Sequence, residues 1–113
     1  MPRDIFNKID EDYFDTVLDN NFYFKGNLKL TDSSIIKGKV EGMIESENKV
    51  IIGPEAIINA DIKAMDIECF GIINGNIQIS NEAYFHSPAE LNGSLSTTLL
   101  TFERGCKLNG KVQ

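Results

Sequence analysis

The sequence predicts an all-β protein built as a parallel β-solenoid of about six coils. Two observations support this prediction: a five-residue motif recurs six times, and a second short β-prone segment separates successive copies. Short repeats of similar period each form one structural unit, and stacked units bury a continuous core. We therefore expect a solenoid with an architectural role.

The motif consists of an apolar residue, a polar residue, glycine or alanine, any residue and an aliphatic residue. Its copies are residues 24–28, 36–40, 58–62, 73–77, 91–95 and 108–112. The small residues of successive copies are 12, 22, 15, 18 and 17 positions apart. We expect the long step to contain a surface loop at residues 45–48, and the short step to belong to an atypical first coil.

The second set of β-prone segments lies between the motifs, at residues 50–52, 65–67, 83–85 and 99–102. Each is followed by a turn-prone stretch, at residues 53–55, 68–71, 86–88 and 103–105. Strands therefore alternate with turns after residue 22, and the pattern offers no helix between them.

Alternation within the motif predicts which side chains face inward. Ile58, Ala60 and Ile62 share one side of their strand, whereas Asn59 and Asp61 share the other. Parallel register would stack the aliphatic residues into interior columns. The same register predicts an outer ladder of hydrogen-bonded amides, formed by Asn59, Asn74, Asn92 and Asn109.

An antiparallel meander is the competing fold, because Asn-Gly between alternating apolar residues is also a hairpin signal. Its turns would lie at Asn74-Gly75, Asn92-Gly93 and Asn109-Gly110. However, Lys-Gly and Asn-Ala occupy the same position in other copies, and only three residues follow Gly110. We favour the parallel solenoid.

Length and charge limit the function. A chain of 113 residues with 11 basic and 17 acidic side chains has a net charge of −6, which disfavours nucleic acid as a partner.

Residues 1–21 carry two basic and six acidic side chains. We expect them to form a flexible acidic tail with a weak helical tendency, followed by a β-helical domain at residues 22–113. Neither a membrane span nor a secretory signal is recognisable, which predicts a cytoplasmic protein.

Sequence features of enzymes and cofactor sites are weak. His86 is the only histidine, and its neighbours Ser87-Pro88 suggest a turn residue. Asp61, Asp66, Glu68 and Glu82 are expected on the solvated surface, and Cys69 and Cys106 as free thiols. The motif spacing does not follow the strict hexapeptide of β-helical acyltransferases, and no phosphate-binding loop is present. We expect no catalysis, cofactor, metal or nucleotide.

Several segments together resemble the bactofilins, bacterial polymer-forming cytoskeletal proteins. The similar segments are residues 37–42, 50–52, 56–62, 71–77 and 105–110. The resemblance implies a right-handed, three-sided parallel β-helix whose ends stack into nonpolar, nucleotide-independent filaments. It also implies a scaffold for cell shape and cell-wall synthesis near the inner membrane, with cell-wall or inner-membrane proteins as partners.

This sequence departs from the family pattern at both termini. A short N-terminal membrane-targeting segment occurs in some relatives, which makes Ile5, Phe6 and Ile9 candidates for membrane contact, but the acidic tail works against anionic lipid. The proline-rich tail of many relatives does not follow Gln113.

We expect self-assembly through the terminal coils, because an uncovered coil exposes unpaired backbone groups and one layer of the apolar core. The predicted polymerisation interface is Phe22, Phe24, Leu28, Leu100, Phe102, Leu108 and Val112. The alternative is a non-polymerising β-helical adaptor that binds a division or cell-wall protein through a lateral face.

Overall fold

The computed structural model describes residues 16–113. Within this range it contains eleven strands and no helix: β1 (Thr16–Leu18), β2 (Tyr23–Leu30), β3 (Ser34–Ile36), β4 (Lys39–Ser46), β5 (Lys49–Ile52), β6 (Ile57–Cys69), β7 (Ile72–Asn74), β8 (Ile77–Phe85), β9 (Glu90–Ser96), β10 (Leu99–Phe102) and β11 (Lys107–Val112). Every strand pair among these residues is parallel. The predicted all-β parallel solenoid is thus confirmed, and the antiparallel meander is wrong.

Each segment pairs with its equivalent one coil later. The offset between paired residues ranges from 15, between Ile57 and Ile72, to 18, between Thr16 and Ser34. Six coils result, in agreement with the predicted number. The handedness and the number of sides implied by the family resemblance stay predictions.

The second copy of the motif is misplaced in the sequence-based assignment. Gly26 pairs with Gly42, and Gly42 pairs with Ala60, so the second copy is residues 40–44 rather than 36–40. The five steps then become 16, 18, 15, 18 and 17 residues. Gly38 precedes β4, at a point where a Cβ would come 2.2 Å from the Phe22 carbonyl oxygen. Close packing therefore requires glycine there too, which produced the false match.

The first strand lies within the predicted tail. β1 pairs with β3, so Thr16–Leu18 joins the solenoid before the predicted start of the domain at residue 22. The tail was predicted to have a weak helical tendency, but Val17 is in this strand. The remainder of the predicted tail, residues 1–15, lies outside the described residues, as do the candidate membrane contacts Ile5, Phe6 and Ile9.

Inward side chains form continuous columns along the solenoid. One column consists of Leu28, Ile44, Ile62, Ile77, Leu95 and Val112. Three others run from Phe24 to Leu108, from Leu18 to Phe102 and from Thr16 to Leu100. Their middle members are almost completely buried, and burial of each aliphatic side chain stabilises the fold by about 1.5 to 3 kcal/mol.

The predicted asparagine ladder is confirmed. Asn74 donates to Asn59, Asn92 donates to Asn74, and Asn109 donates to Asn92, each from Nδ2 to Oδ1 at 2.7 Å. Because Asn74 and Asn92 each donate and accept, four polar side chains on the outer surface are linked along the axis.

His86 was predicted to be a turn residue, but it precedes the turn at residues 87–88 and its side chain is buried. The imidazole ring lies between the rings of Phe70 and Tyr84, with both centroid distances 4.1 Å. Its Nε2 lies 2.6 Å from Oε1 of Glu68, and its Nδ1 lies 3.4 Å from Oε2 of Glu103. These contacts connect three successive coils. Since His86 is 5% exposed and its ring is held on both faces, the residue has a structural role.

Glycines at the centre of the motif allow the coils to approach. At Gly93 φ is +146°, and a Cβ would lie 2.0 Å from the carbonyl oxygen of Gly75 in the preceding coil. Gly26 in the first coil has a similar φ of +137°, but a Cβ there would meet only the Phe24 ring at 3.6 Å.

We predict that Gly93→Ala destabilises the protein much more than Gly26→Ala. Both substitutions place a side chain at positive φ, a strain of about 1 to 3 kcal/mol, but only the first also forces two backbones apart. Urea unfolding followed by circular dichroism would compare the two variants. Equal losses of unfolding free energy would contradict the close-approach explanation.

A second prediction concerns Glu103 and pH. The backbone N–H of Ser87 donates to its carboxylate at 2.9 Å, and this bond, together with the Tyr84 hydroxyl and His86, holds the pKa of Glu103 below its usual value. A depressed pKa contributes stability that is fully present above the ordinary pKa of 4.5 and is lost as pH falls through the folded-state pKa.

Glu103→Gln should therefore lower the thermal unfolding midpoint at pH 7, and the difference from the unsubstituted protein should shrink on acidification below pH 4.5. Glu47→Gln, at an exposed carboxylate, is the matched control and should leave the thermal unfolding midpoint unchanged at neutral and at acidic pH. A difference for Glu103→Gln that stays constant with pH would rule out a charge effect.

Candidate assembly interface

Both ends of the described solenoid have open strand edges. In residues 16–113, β1 and β2 pair only with the second coil, while β10 and β11 pair only with the fifth. Their outer edges present unpaired backbone N–H and C=O groups, which can continue the parallel ladder into another chain.

The C-terminal end terminates the four interior columns with apolar side chains. Leu100 is 40% exposed and Val112 is 45% exposed, whereas the residues below them in register, Ala83 and Leu95, are completely buried. Phe102 and Leu108 are half-buried and pack against the core. The rim of this end thus exposes the same kind of surface that forms the interior elsewhere.

The N-terminal end has a similar apolar layer. Phe22, Phe24 and Leu28 are half-buried and pack against the core, and the Phe22 and Phe24 rings are stacked with centroids 6.3 Å apart. Leu18 lies beside them at the base of the column that ends in Phe102. Aromatic side chains that are partly buried supply a large apolar contact area.

The seven residues predicted from the sequence therefore form two surfaces at opposite ends. Phe22, Phe24 and Leu28 belong to the first coil, and Leu100, Phe102, Leu108 and Val112 to the last. Sequence reasoning missed Leu18 and Cys106. Leu18 was assigned to the tail, although its spacing from Ile36 and Ile52 follows the coil period. Cys106 is the last member of a column that starts at Phe22 and contains the residue just before a strand in each coil. Only the backbone hydrogen bonds show this register.

Charge at the C-terminal end is opposite in sign to that of the whole chain, because the last coil carries Arg104, Lys107 and Lys111 against Glu103. In the described part of the first coil, Lys25 and Lys29 are balanced by Asp19 and Asp32. Burial raises the pKa of the Cys106 thiol, so this terminal side chain is neutral.

The acidic side chains expected on the surface bind neighbouring coils. Asp61 Oδ1 accepts the backbone N–H of Asn76, and Asp66 Oδ1 accepts the side-chain amide of Asn81. Glu68 pairs with Lys49 at 3.0 Å. In residues 16–113 no group of histidine, cysteine and carboxylate side chains could hold a metal ion. The two cysteines are free, and burial raises the pKa of Cys69 to about 12.

No helix in the described part of the chain is long and apolar enough to span a membrane.

Comparison with known proteins identifies relatives of this fold. Bactofilin BacO from Myxococcus xanthus (strain DK1622) is 22% identical over 97 residues, which cover 86% of this chain and 77% of that protein. A Thermus thermophilus bactofilin, solved by cryo-EM as double helical filaments, matches with a TM-score of 0.79 and 18% identity over 87% of this chain and 99% of that one. The structural likeness shows the shared solenoid fold.

A family model described as bactofilin, polymer-forming cytoskeletal, matches residues 16–113, from the first strand to the end of the last coil. The family predicted from the repeated segments is thus confirmed, and the chain belongs to the bactofilins, a family of polymer-forming cytoskeletal proteins.

Proposed function

We propose that this protein assembles end to end into filaments without nucleotide, and that the terminal coils are the contact surfaces. The observation that supports this most directly is the exposure of column ends such as Leu100 and Val112 directly above completely buried residues. Another coil placed on them would bury apolar side chains and pair the open strand edges in the same step.

The N-terminal contact surface is proposed to consist of Phe22, Phe24 and Leu28, together with Leu18. The C-terminal surface is proposed to consist of Leu100, Phe102, Leu108 and Val112. Because all of these except the most exposed also pack on the core, stability of the terminal coil and affinity for the next subunit come from the same side chains.

The proposed cellular role is a cytoplasmic scaffold that supports cell shape and cell-wall organisation. Membership of a polymer-forming cytoskeletal family supports it. Cell-wall synthesis or inner-membrane proteins are proposed partners beyond the protein itself, and Ile5, Phe6 and Ile9 are proposed to allow peripheral contact with the inner membrane. The net charge of −6 supports the expectation that nucleic acid is not a partner.

Leu100→Arg is predicted to abolish filaments, because assembly would bury an unpaired charge in the contact layer. Thr101→Arg is the matched control, since the neighbouring side chain on the same strand is exposed and lies in register with Tyr84 on the outer surface. Negative-stain electron microscopy of the purified proteins, without nucleotide, would show filaments for the control and not for Leu100→Arg.

Circular dichroism would establish that both variants are folded. Folded Leu100→Arg protein that still forms filaments would exclude this end from the contact. Discrete particles of the unsubstituted protein at high concentration would instead favour the lateral-face adaptor.

Thiol labelling offers a second measurement. Cys106 is half-buried at the C-terminal end, whereas Cys69 is completely buried in the core. We predict that Cys106 reacts with a maleimide in dispersed protein and is protected in filaments, while Cys69 is protected in both. In the Leu100→Arg variant, Cys106 should remain reactive at every protein concentration. Equal labelling of Cys106 in filaments and dispersed protein would place the contact elsewhere.

A further inference from the structure

One side of the solenoid carries an exposed apolar pair that the end contacts do not use. Ile57 and Ile72 are 45% and 41% exposed, and they are direct neighbours in the parallel register. The next residue of each strand, Ile58 or Ile73, is completely buried. The exposed pair therefore lies on the outer surface of this sheet, outside the core.

These isoleucines are the centre of an outward column that crosses all six coils. In order, the column contains Tyr23, Lys39, Ile57, Ile72, Glu90 and Lys107. Beside it, in the third to sixth coils, runs the asparagine ladder, whose amides bond to one another and whose Asn92 also donates to Glu90 at 2.8 Å. We call this column and the ladder the asparagine face.

The column is complementary to its own reverse. When its order is inverted, Lys39 of the second coil falls opposite Glu90 of the fifth, and Ile57 of the third falls opposite Ile72 of the fourth. Tyr23 then falls opposite Lys107, where a lysine can approach an aromatic ring, as Lys39 already approaches Tyr23 at 5.7 Å. Opposite charges flank an apolar centre in both directions.

We propose that the asparagine face binds the asparagine face of a second copy of this chain, across a two-fold axis parallel to its strands. Such an axis reverses the solenoid direction and sets coil one against coil six, two against five and three against four. The contact is isologous, so each Lys39–Glu90 pair forms twice. The two solenoids run antiparallel.

Parallel packing of the same faces is less favourable. If the column met its own copy in parallel, Lys39 would face Lys39 and Glu90 would face Glu90. If the column met the ladder instead, both isoleucines would be buried against asparagine amides that already satisfy one another. Only the antiparallel arrangement buries isoleucine on isoleucine and also pairs the charges.

The size of the face decides when this contact is stable. The face spans six coils about 4.8 Å apart and, along each strand, three residues about 3.3 Å apart. Its area is therefore roughly 250 Å² per subunit, far below the ~800 Å² per partner of a stable complex. Single subunits should therefore not pair. The inference rests on the proposed filaments, in which many weak contacts act together and avidity makes pairing stable.

The experiment uses charge reversal in the full chain. Lys39→Glu and Glu90→Lys each place like charges opposite one another, so each should give single filaments in place of paired ones. The combined Lys39→Glu/Glu90→Lys variant restores opposite charges and should restore pairing. Lys63→Glu, an exposed lysine of β6 outside the asparagine face, is the matched control and should leave pairing unchanged.

Filament width and number of strands, measured by electron microscopy at low and high salt, distinguish the outcomes. The inference would be overturned if filaments of either single variant paired as those of the unsubstituted protein do. It would also be overturned if filaments of the combined variant did not pair. Single filaments of the unsubstituted protein at all salt concentrations would also overturn it, with end-to-end assembly intact. Absence of any filament would overturn the proposed function, and the lateral contact with it.

Discussion

The parallel register between coils is the constraint on which the rest of this structure depends. A slip of one residue would turn every inward side chain of a strand to the surface. The interior columns oppose such a slip through apolar burial, and the motif glycines oppose it through shape, because Gly93 leaves no space for a Cβ beside the Gly75 carbonyl. Polar contacts such as the asparagine ladder then form at positions that this register has already brought together.

A solenoid satisfies its backbone and its core everywhere except at its two ends. In a globular domain the core closes on itself, but here each column must stop, and it stops at side chains such as Leu100 and Val112 that are partly exposed. The interaction that holds one coil on the next is therefore the same interaction that a second chain can provide. This continuity agrees with membership of a polymer-forming family.

The sides of the solenoid behave differently because their polar groups are paired within the chain. Asp66 accepts hydrogen bonds from the next coil, and His86 connects Glu68 to Glu103 across three coils. Such pairs lower the cost of holding carboxylates and an imidazole in fixed positions. On these sides, the exposed pair of Ile57 and Ile72 is a feature that the folding of one chain does not explain.

The sequence by itself determined the repeat, the inward and outward sides of most strands, the asparagine ladder and the apolar character of the terminal coils, because these depend on local alternation and on a period of 15 to 18 residues. Tertiary structure alone decided which copy of a repeated pattern pairs with which. Residues 36–40 and 40–44 both fit the motif, and only the pairing of Gly42 with Gly26 and Ala60 chooses between them. Likewise, β1 is too short to be recognised without its partner β3, and His86 is buried by residues from other coils. Each of these outcomes depends on contacts between residues distant in sequence, whose stacking buries side chains that no local pattern can assign.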